Sequence, residues 1–232
     1  MTAKLVLGLD TTDIHGSACI ADETQVLKAI GWTSNPGHTK HLRKSCDSLL
    51  QYAGHRLAGI AVASGPGGFS SVRSGLAFAK GLCLGRGIRL VTVDSLTALV
   101  ESALPLSMSR VMAVSHARQS EYFCREFSVH RTTSTPLAQT TVMSVSDIVA
   151  IEEVDAILVR HFEYSQRARL MNVAQDRKLS IVTPAARTVS EAVAMLGWAK
   201  LGKTAEGDVH TAVPTYVRPP ETTAPKHGWA KI

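Results

Sequence analysis

Apolar positions in the first hundred residues fall into short runs separated by polar turns, and their spacing predicts an alternation of strands and helices. Lys4 to Asp10 reads as a buried strand ending in the polar turn Asp10-Thr11-Thr12-Asp13. His15 to Ala21 and Gln25 to Thr33 read as two more strands, and the short polar connections favour an antiparallel meander. Asn35-Pro36-Gly37 breaks that pattern, after which Leu42, Cys46, Leu49, Leu50 and Ala53 share one stripe of a helix beginning at Thr39. Leu57 to Ala63 has the length of a buried strand and leads into a glycine-rich turn and a second helix reaching about Gly85. Arg89 to Val93 gives another strand. Asp94 or Ser95 can cap the next helix, Leu96 to Leu104, which Pro105 ends.

A second cycle starts at Arg110, with strands Val111 to Val114 and Tyr122 to Val129 joined by a polar segment, Ser115 to Glu121. A helix near Ser146 to Ile151, a strand Ala156 to Val159, a helix near Ser165 to Val173 and a helix Val189 to Leu201 complete the reading. No sequence repeat is detectable, although the pattern of the first half recurs. From Val213 the chain turns proline-rich and polar, so Pro219 to Ile232 is expected to be a flexible tail with few apolar side chains to offset its ordering entropy.

Composition adds bounds. The 232 residues suit one large domain or two compact halves, and 45% hydrophobic against 19% charged residues exclude disordered and fibrous classes. The longest apolar run near the start, Leu5-Val6-Leu7, is too short for a signal-peptide core or a membrane span, so the expected address is the cytoplasm. Cys19, Cys46, Cys83 and Cys124 are widely separated, without zinc-finger spacing, and are read as reduced, mostly buried thiols. A formal charge of +6 gives a mild preference for anionic partners such as RNA. The basic residues are scattered, however, and no aromatic RNA-binding pattern accompanies them.

Five constellations bear on chemistry. In Ser64-Gly65-Pro66-Gly67-Gly68-Phe69-Ser70-Ser71, glycines and the following helix start make a candidate nucleotide or anion cradle of Gly65, Gly67 and Gly68; a tight strand-to-helix turn with nothing bound is the simpler reading. Walker A fails for want of Gly-Lys-Ser/Thr, and a dinucleotide fingerprint, with Asp94 as the ribose carboxylate, fails at Ser70, which replaces its third glycine. Asp10, with Thr11 and Thr12, either approaches a phosphate or metal-bound water or caps its own turn. The helix after the glycine turn carries small residues at Ser71, Ser74, Gly75, Ala77, Ala79, Gly81 and Gly85, so another surface packs closely on it, whether a helix of the same chain or a partner subunit. His38 and His41 lie one turn apart without a third ligand nearby, so hydrogen bonding or a contact surface is preferred over a metal site. Ser115 and His116 are strand neighbours pointing to opposite faces and cannot form a nucleophile pair.

Leu9-Asp10-Thr11-Thr12, His38, Gly65 through Ala77, Ala117-Arg118 with Glu121-Tyr122, and Pro214-Thr215-Tyr216-Val217-Arg218 together resemble, in chain order, the TsaB (YeaZ) family of bacterial threonylcarbamoyladenosine synthesis. Gly68, Ser70 and Ser71 depart from the family's Gly-Pro-Gly-Ser-Phe-Thr-Gly, and His116 stands where it has an aspartate. The resemblance implies an α/β, actin-like (RNase-H-like) fold in two lobes, residues 1–107 and 108–218, each a mixed sheet flanked by helices. It also implies a non-catalytic accessory subunit. Its partners would be the catalytic TsaD subunit, which carries a metal-binding histidine pair, and the TsaE ATPase, with tRNA reached through the complex and a homodimer formed when the chain is alone. On this reading the partner surface includes His38, His41, Ser71, Arg73, Ser74, Gly75 and Phe78. No cofactor is expected; the interface has room for a weakly bound nucleotide as an option. A phosphotransferase or ATPase of the same fold, using Asp10 and the glycine turn, is the competing reading, and a dinucleotide-dependent oxidoreductase is a third.

Overall fold

Strand β1 (Leu5–Asp10) is buried at every position because it has a neighbour on each edge and helices on both faces. In the computed structural model, which describes residues 3–34, 38–160, 171, 179–183, 187–203 and 209–218, β1 pairs antiparallel with β2 (His15–Ala21) and parallel with β4 (Leu57–Ala63). Strands β3 (Val26–Thr33) and β5 (Arg89–Val93) complete a sheet of order β3-β2-β1-β4-β5. The predicted meander is present, with Val6 opposite Ala21 and Asp10 opposite Ser17.

The second sheet repeats this plan. Strands β6 (Arg110–Arg118), β7 (Glu121–His130) and β8 (Thr133–Pro136) form an antiparallel meander, while β10 (Ala156–Val159) and β11 (Ser180–Val182) add parallel strands on the other side of β6. Its order, β8-β7-β6-β10-β11, matches that of the first sheet strand for strand and direction for direction. The fold is therefore actin-like, and the recurrence lies in topology without an accompanying sequence repeat. One edge differs: β8 pairs with the second half of β7 and β9 (Thr141–Ser144) with the first half, so two short strands stand where the first sheet has one.

The polar stretch 115–121 is not a connection. It continues β6 and opens β7, leaving Gln119 and Ser120 as the turn, with Gln119 at φ 51°. Polar residues are tolerated there because the hairpin tip extends beyond the core, so composition suggested a loop where cross-strand hydrogen bonds make strand. The predicted helix near Ser165 to Val173 and the tail Pro219 to Ile232 lie outside the described residues, apart from helical Met171.

Helices α1 (Thr39–Ala53) and α2 (Phe69–Arg86) cover one face of the first sheet, where Leu5, Leu7 and Leu9 of β1 meet Leu42, Leu49, Leu76 and Ala79. Helices α3 (Ser95–Ala103) and α5 (Val189–Lys203) cover the other face. That second core is continuous with Val111, Ala113, Phe127 and Leu158 of the second sheet, so α3 and α5 form a layer shared by both sheets. Met112 and Val114, one residue out of step, turn instead to the far face and α4 (Val145–Ala150), as a strand's two-residue period requires. Helix α5 is apolar on nearly all sides for the same reason: it is a buried helix rather than a surface one.

Small residues set the spacing of this layer. A Cβ at Gly8 would overlap Ser190 and Ala194 of α5, and one at Gly197 would overlap Ala61 of β4. The Cys19 thiol donates to the Ser190 carbonyl at 3.2 Å, using the same close approach. All four cysteines are free and buried, and burial pushes each thiol up to about 12. No helix among the described residues is long and apolar enough to cross a membrane.

Gly8→Val should therefore force α5 off β1 and cost about 1–3 kcal/mol or more, because overpacked cores answer with strained rotamers and backbone shifts. Urea unfolding monitored by circular dichroism checks this; an unchanged midpoint would show that the α5 contact contributes little to stability.

Candidate functional site

The turn after β1 sits where the two sheets approach each other. Asp10, at the strand end, is fully buried. Its Oδ1 accepts from the Thr12 amide at 3.1 Å and from Thr12 Oγ1 at 2.8 Å, which is the self-capped turn expected of an Asp followed by Thr. Its Oδ2 faces the Arg160 guanidinium, which arrives from the end of β10 in the other sheet and forms an ion pair with it through Nη2. Arg160 also donates to Thr12 Oγ1 at 2.5 Å and to the His15 carbonyl at 3.2 Å, with Asp13 Oδ2 at 4.0 Å from its Nε. Burial lowers the Arg160 pKa to about 10, so the side chain remains charged at neutral pH and matches the carboxylate beside it.

On the opposite side, the same turn is clasped by the glycine segment. The Gly68 amide donates to the Thr12 carbonyl at 2.9 Å, and a Cβ at Gly67 would strike that carbonyl. Thr11 Oγ1 donates to the Ser71 carbonyl at 2.8 Å, and the space above Gly75 is filled by the Thr11 side chain. Gly65, at φ 104°, holds a conformation that favours glycine; its amide donates to Ser95 Oγ at 3.0 Å and its carbonyl accepts from the Ser95 amide at 2.9 Å. Two amides of the candidate cradle are thus engaged by the chain itself. The close packing foreseen at Gly75 comes from the Asp10 to Asp13 turn, not from a neighbouring helix.

Other candidates separate in space. His38 is buried just ahead of α1, where Nδ1 accepts from Trp32 Nε1 at 3.0 Å and the ring also bonds the Asp13 backbone. Desolvation lowers its pKa, so it is a neutral acceptor joining β3, the Asp13 turn and α1. His41 is exposed, and no cluster of three or more His, Cys, Asp or Glu suited to a metal exists among the described residues. With His38 committed to Trp32 and Asp13, and Asp10 committed to Thr12 and Arg160, these residues do not fit a metal. Ser74 Oγ donates back to the Ser70 carbonyl at 2.8 Å, Phe78 packs partly into the first core, and Arg73 lies over the Phe69 ring at 4.3 Å. Asp94, the ribose-carboxylate candidate, caps α3 by accepting from the Thr97 amide at 2.8 Å.

Sequence reading did not single out Arg160. Its only signal was a lone arginine directly after a four-residue apolar strand, and no local pattern tells which carboxylate such a residue meets.

Residues 33–209 match the family model described as TsaD: tRNA N6-adenosine threonylcarbamoyltransferase. The chain is 31% identical over 90 residues to the tRNA threonylcarbamoyladenosine biosynthesis protein TsaB of Haemophilus influenzae, a match covering 37% of this chain and 38% of that protein. It is 31% identical over 94 residues to the protein of the same name from Escherichia coli strain K12, covering 39% and 41%. These matches span well under half the length of either relative. Among solved structures, a Pseudomonas aeruginosa protein described as similar to peptidase YEAZ superposes with a TM-score of 0.73 at 20% identity, covering 93% of this chain and 100% of that one. YeaZ from the same organism gives 0.71 at 19%, covering 92% and 99%. Both establish the fold.

Arg160→Met should cost about 3–5 kcal/mol by leaving a buried carboxylate uncompensated, and adding Asp10→Asn should recover a large part of that loss. A double-mutant cycle from urea unfolding reads this coupling, and additive effects would refute it. His38 gives a pH prediction. Its folded pKa lies below the ordinary value of about 6.5, so its contribution is complete above that pH and is lost as pH falls through the folded pKa. Stability measured between pH 7 and pH 4.5 should fall less steeply in His38→Asn than in the parent chain.

Proposed function

This chain belongs to the family described as TsaD, tRNA N6-adenosine threonylcarbamoyltransferase, and to its TsaB/YeaZ group, and from that premise we propose that it is a non-catalytic accessory subunit in tRNA threonylcarbamoyladenosine synthesis. On this reading it acts in the cytoplasm, binds the catalytic TsaD subunit and organises it for transfer of the threonylcarbamoyl group. TsaE joins the assembly, tRNA is reached through the complex, and the free chain pairs with itself.

The observation that carries the non-catalytic part is the Asp10 to Arg160 closure. Phosphoryl transfer needs a carboxylate free to hold magnesium and donors free to hold phosphates. Here the carboxylate is neutralised by a guanidinium from the other sheet, and the amides of Gly65 and Gly68 are already bonded. An enzyme of this fold would have to break those contacts before each turnover.

The outer face of α2 supports the partner-binding part. Ala77, Gly81 and Gly85 are exposed, nothing among the described residues would meet a Cβ at either glycine, and Leu84 among them is 63% exposed. Tyr52 on α1 is 43% exposed. A narrow apolar stripe of this kind lets another helix approach closely, and a homologous subunit offers a complementary one. His41 on α1 and Arg73 on α2 are exposed as well.

Reconstitution tests the whole reading. Modification of tRNA by the catalytic subunit should require this chain, and Leu84→Glu should weaken their association at least tenfold with the melting temperature of the isolated chain little changed. Equal modification in its absence would overturn the accessory role. Tight binding of magnesium-ATP in calorimetry would overturn the non-catalytic one.

A further inference from the structure

Basic residues that look scattered along the sequence are concentrated in one layer of the fold. Between Gln25 and Val93 nine lysines and arginines stand against one acid, Asp47, whereas the remaining residues carry 16 basic against 18 acidic side chains. That stretch builds β3, α1, β4, α2 and β5, so this layer accounts for more than the whole formal charge of +6. Within it α1 packs chiefly on β2 and β3, and α2 on β4, β5 and β1, which gives the two helices opposite outer flanks. On the α1 flank Lys40, Lys44, Ser48 and Tyr52 follow one another four residues apart and share one side of the helix. Lys28 of β3 reaches this line: its Nζ donates to Ser48 Oγ at 3.2 Å and lies 5.8 Å from the centre of the Tyr52 ring. Arg56, just past the helix, sits over the same ring at 5.7 Å and donates to the Tyr52 carbonyl at 3.1 Å.

Lys28, Lys40 and Lys44 are exposed and Arg56 is half-buried, and none of the four has a carboxylate within ion-pairing distance among the described residues. Asp47 is engaged by Arg43 at 3.9 Å. Lys40 and Tyr52 stand about 18 Å apart along the helix axis, so the line is too long for one small anion and suits a polyanion. The apolar side of α1, with Leu42, Cys46, Leu49 and Ala53, is buried against the sheet. That leaves no side chains to enter a lipid layer, and the one aromatic ring that could anchor a protein partner here is held beneath two cations. A nucleic-acid backbone, by contrast, needs cations alone. We propose that the face formed by Lys28, Lys40, Lys44 and Arg56 binds the phosphate backbone of RNA directly, without sequence preference. The stripe around Leu84 lies on α2, so both surfaces can be occupied at once.

The choice of RNA rests on membership of a tRNA-modifying family, whereas the accessory role does not enter, and the test uses the full chain alone. A fluorescein-labelled RNA hairpin of about 20 nucleotides is followed by fluorescence anisotropy between about 50 and 200 mM salt. A DNA hairpin of the same sequence, a polyglutamate peptide of equal charge and phosphatidylserine vesicles are run alongside. Four phosphate contacts predict that the logarithm of the RNA affinity falls against that of the salt concentration with a slope of about −3. Lys40→Glu and Lys44→Glu should each weaken RNA binding about fivefold or more and flatten that slope by about one, with the melting temperature unchanged. Arg131→Glu makes the same charge change at an exposed position beside the second sheet, and should weaken binding less than about twofold. Equal effects of the three variants, a slope near zero, or tighter binding of the DNA, the peptide or the vesicles would overturn the proposal. Reconstitution with the catalytic subunit reads the accessory role separately, so either reading can fail while the other stands.

Discussion

A fully buried carboxylate must find compensation, and the way Asp10 finds it organises the rest of this molecule. Desolvating an ion costs several kcal/mol, more than a few neutral hydrogen bonds restore. Thr12 satisfies one oxygen locally, but among the described residues the charge is matched by Arg160, which belongs to the other sheet. The pair therefore works as a tie between two halves that each have a complete sheet of their own. Sliding one sheet over the other would strand both charges, so a soft apolar contact through α3 and α5 acquires a defined register.

The glycines act on the same turn from the opposite side. Gly67 and Gly75 make room for Thr12 and Thr11, so the Asp10 to Asp13 turn is held between backbone on one flank and a guanidinium on the other. Elsewhere Gly8, Gly59 and Gly197 let α5 lie close against the first sheet. In each place glycine is present because something of the chain's own approaches. Gly81 and Gly85 differ, for nothing among the described residues approaches them, and this contrast separates the inward and outward faces of α2.

Much of the first sheet was legible because its signals are local. Alternation and short apolar runs located β1, β2, β4 and β5 to within a residue, and Asp94 announced the start of α3. The second sheet was harder for a physical reason. Strands β8 and β9 are four residues each and have no fully buried position, so they depend on pairing with β7 rather than on their own composition. The site divides in the same way. That Asp10 caps its own turn follows from the two threonines after it, whereas its meeting with Arg160 across 150 positions follows only from how the sheets are placed.

The repeated topology makes that meeting informative. Strand β4 in the first sheet and β10 in the second occupy equivalent positions, and the residue following each is used differently: Ser64 leads into the glycine turn, while Arg160 turns back on Asp10. A cleft between two such sheets is the natural place for a ligand that bridges them, because both sheets present strand ends to it. Here a side chain already performs the bridging. A ligand would have to supply more compensation to Asp10 than a buried guanidinium with three further contacts does, and a hydrated magnesium ion, which dehydrates reluctantly, is a weak competitor for that position.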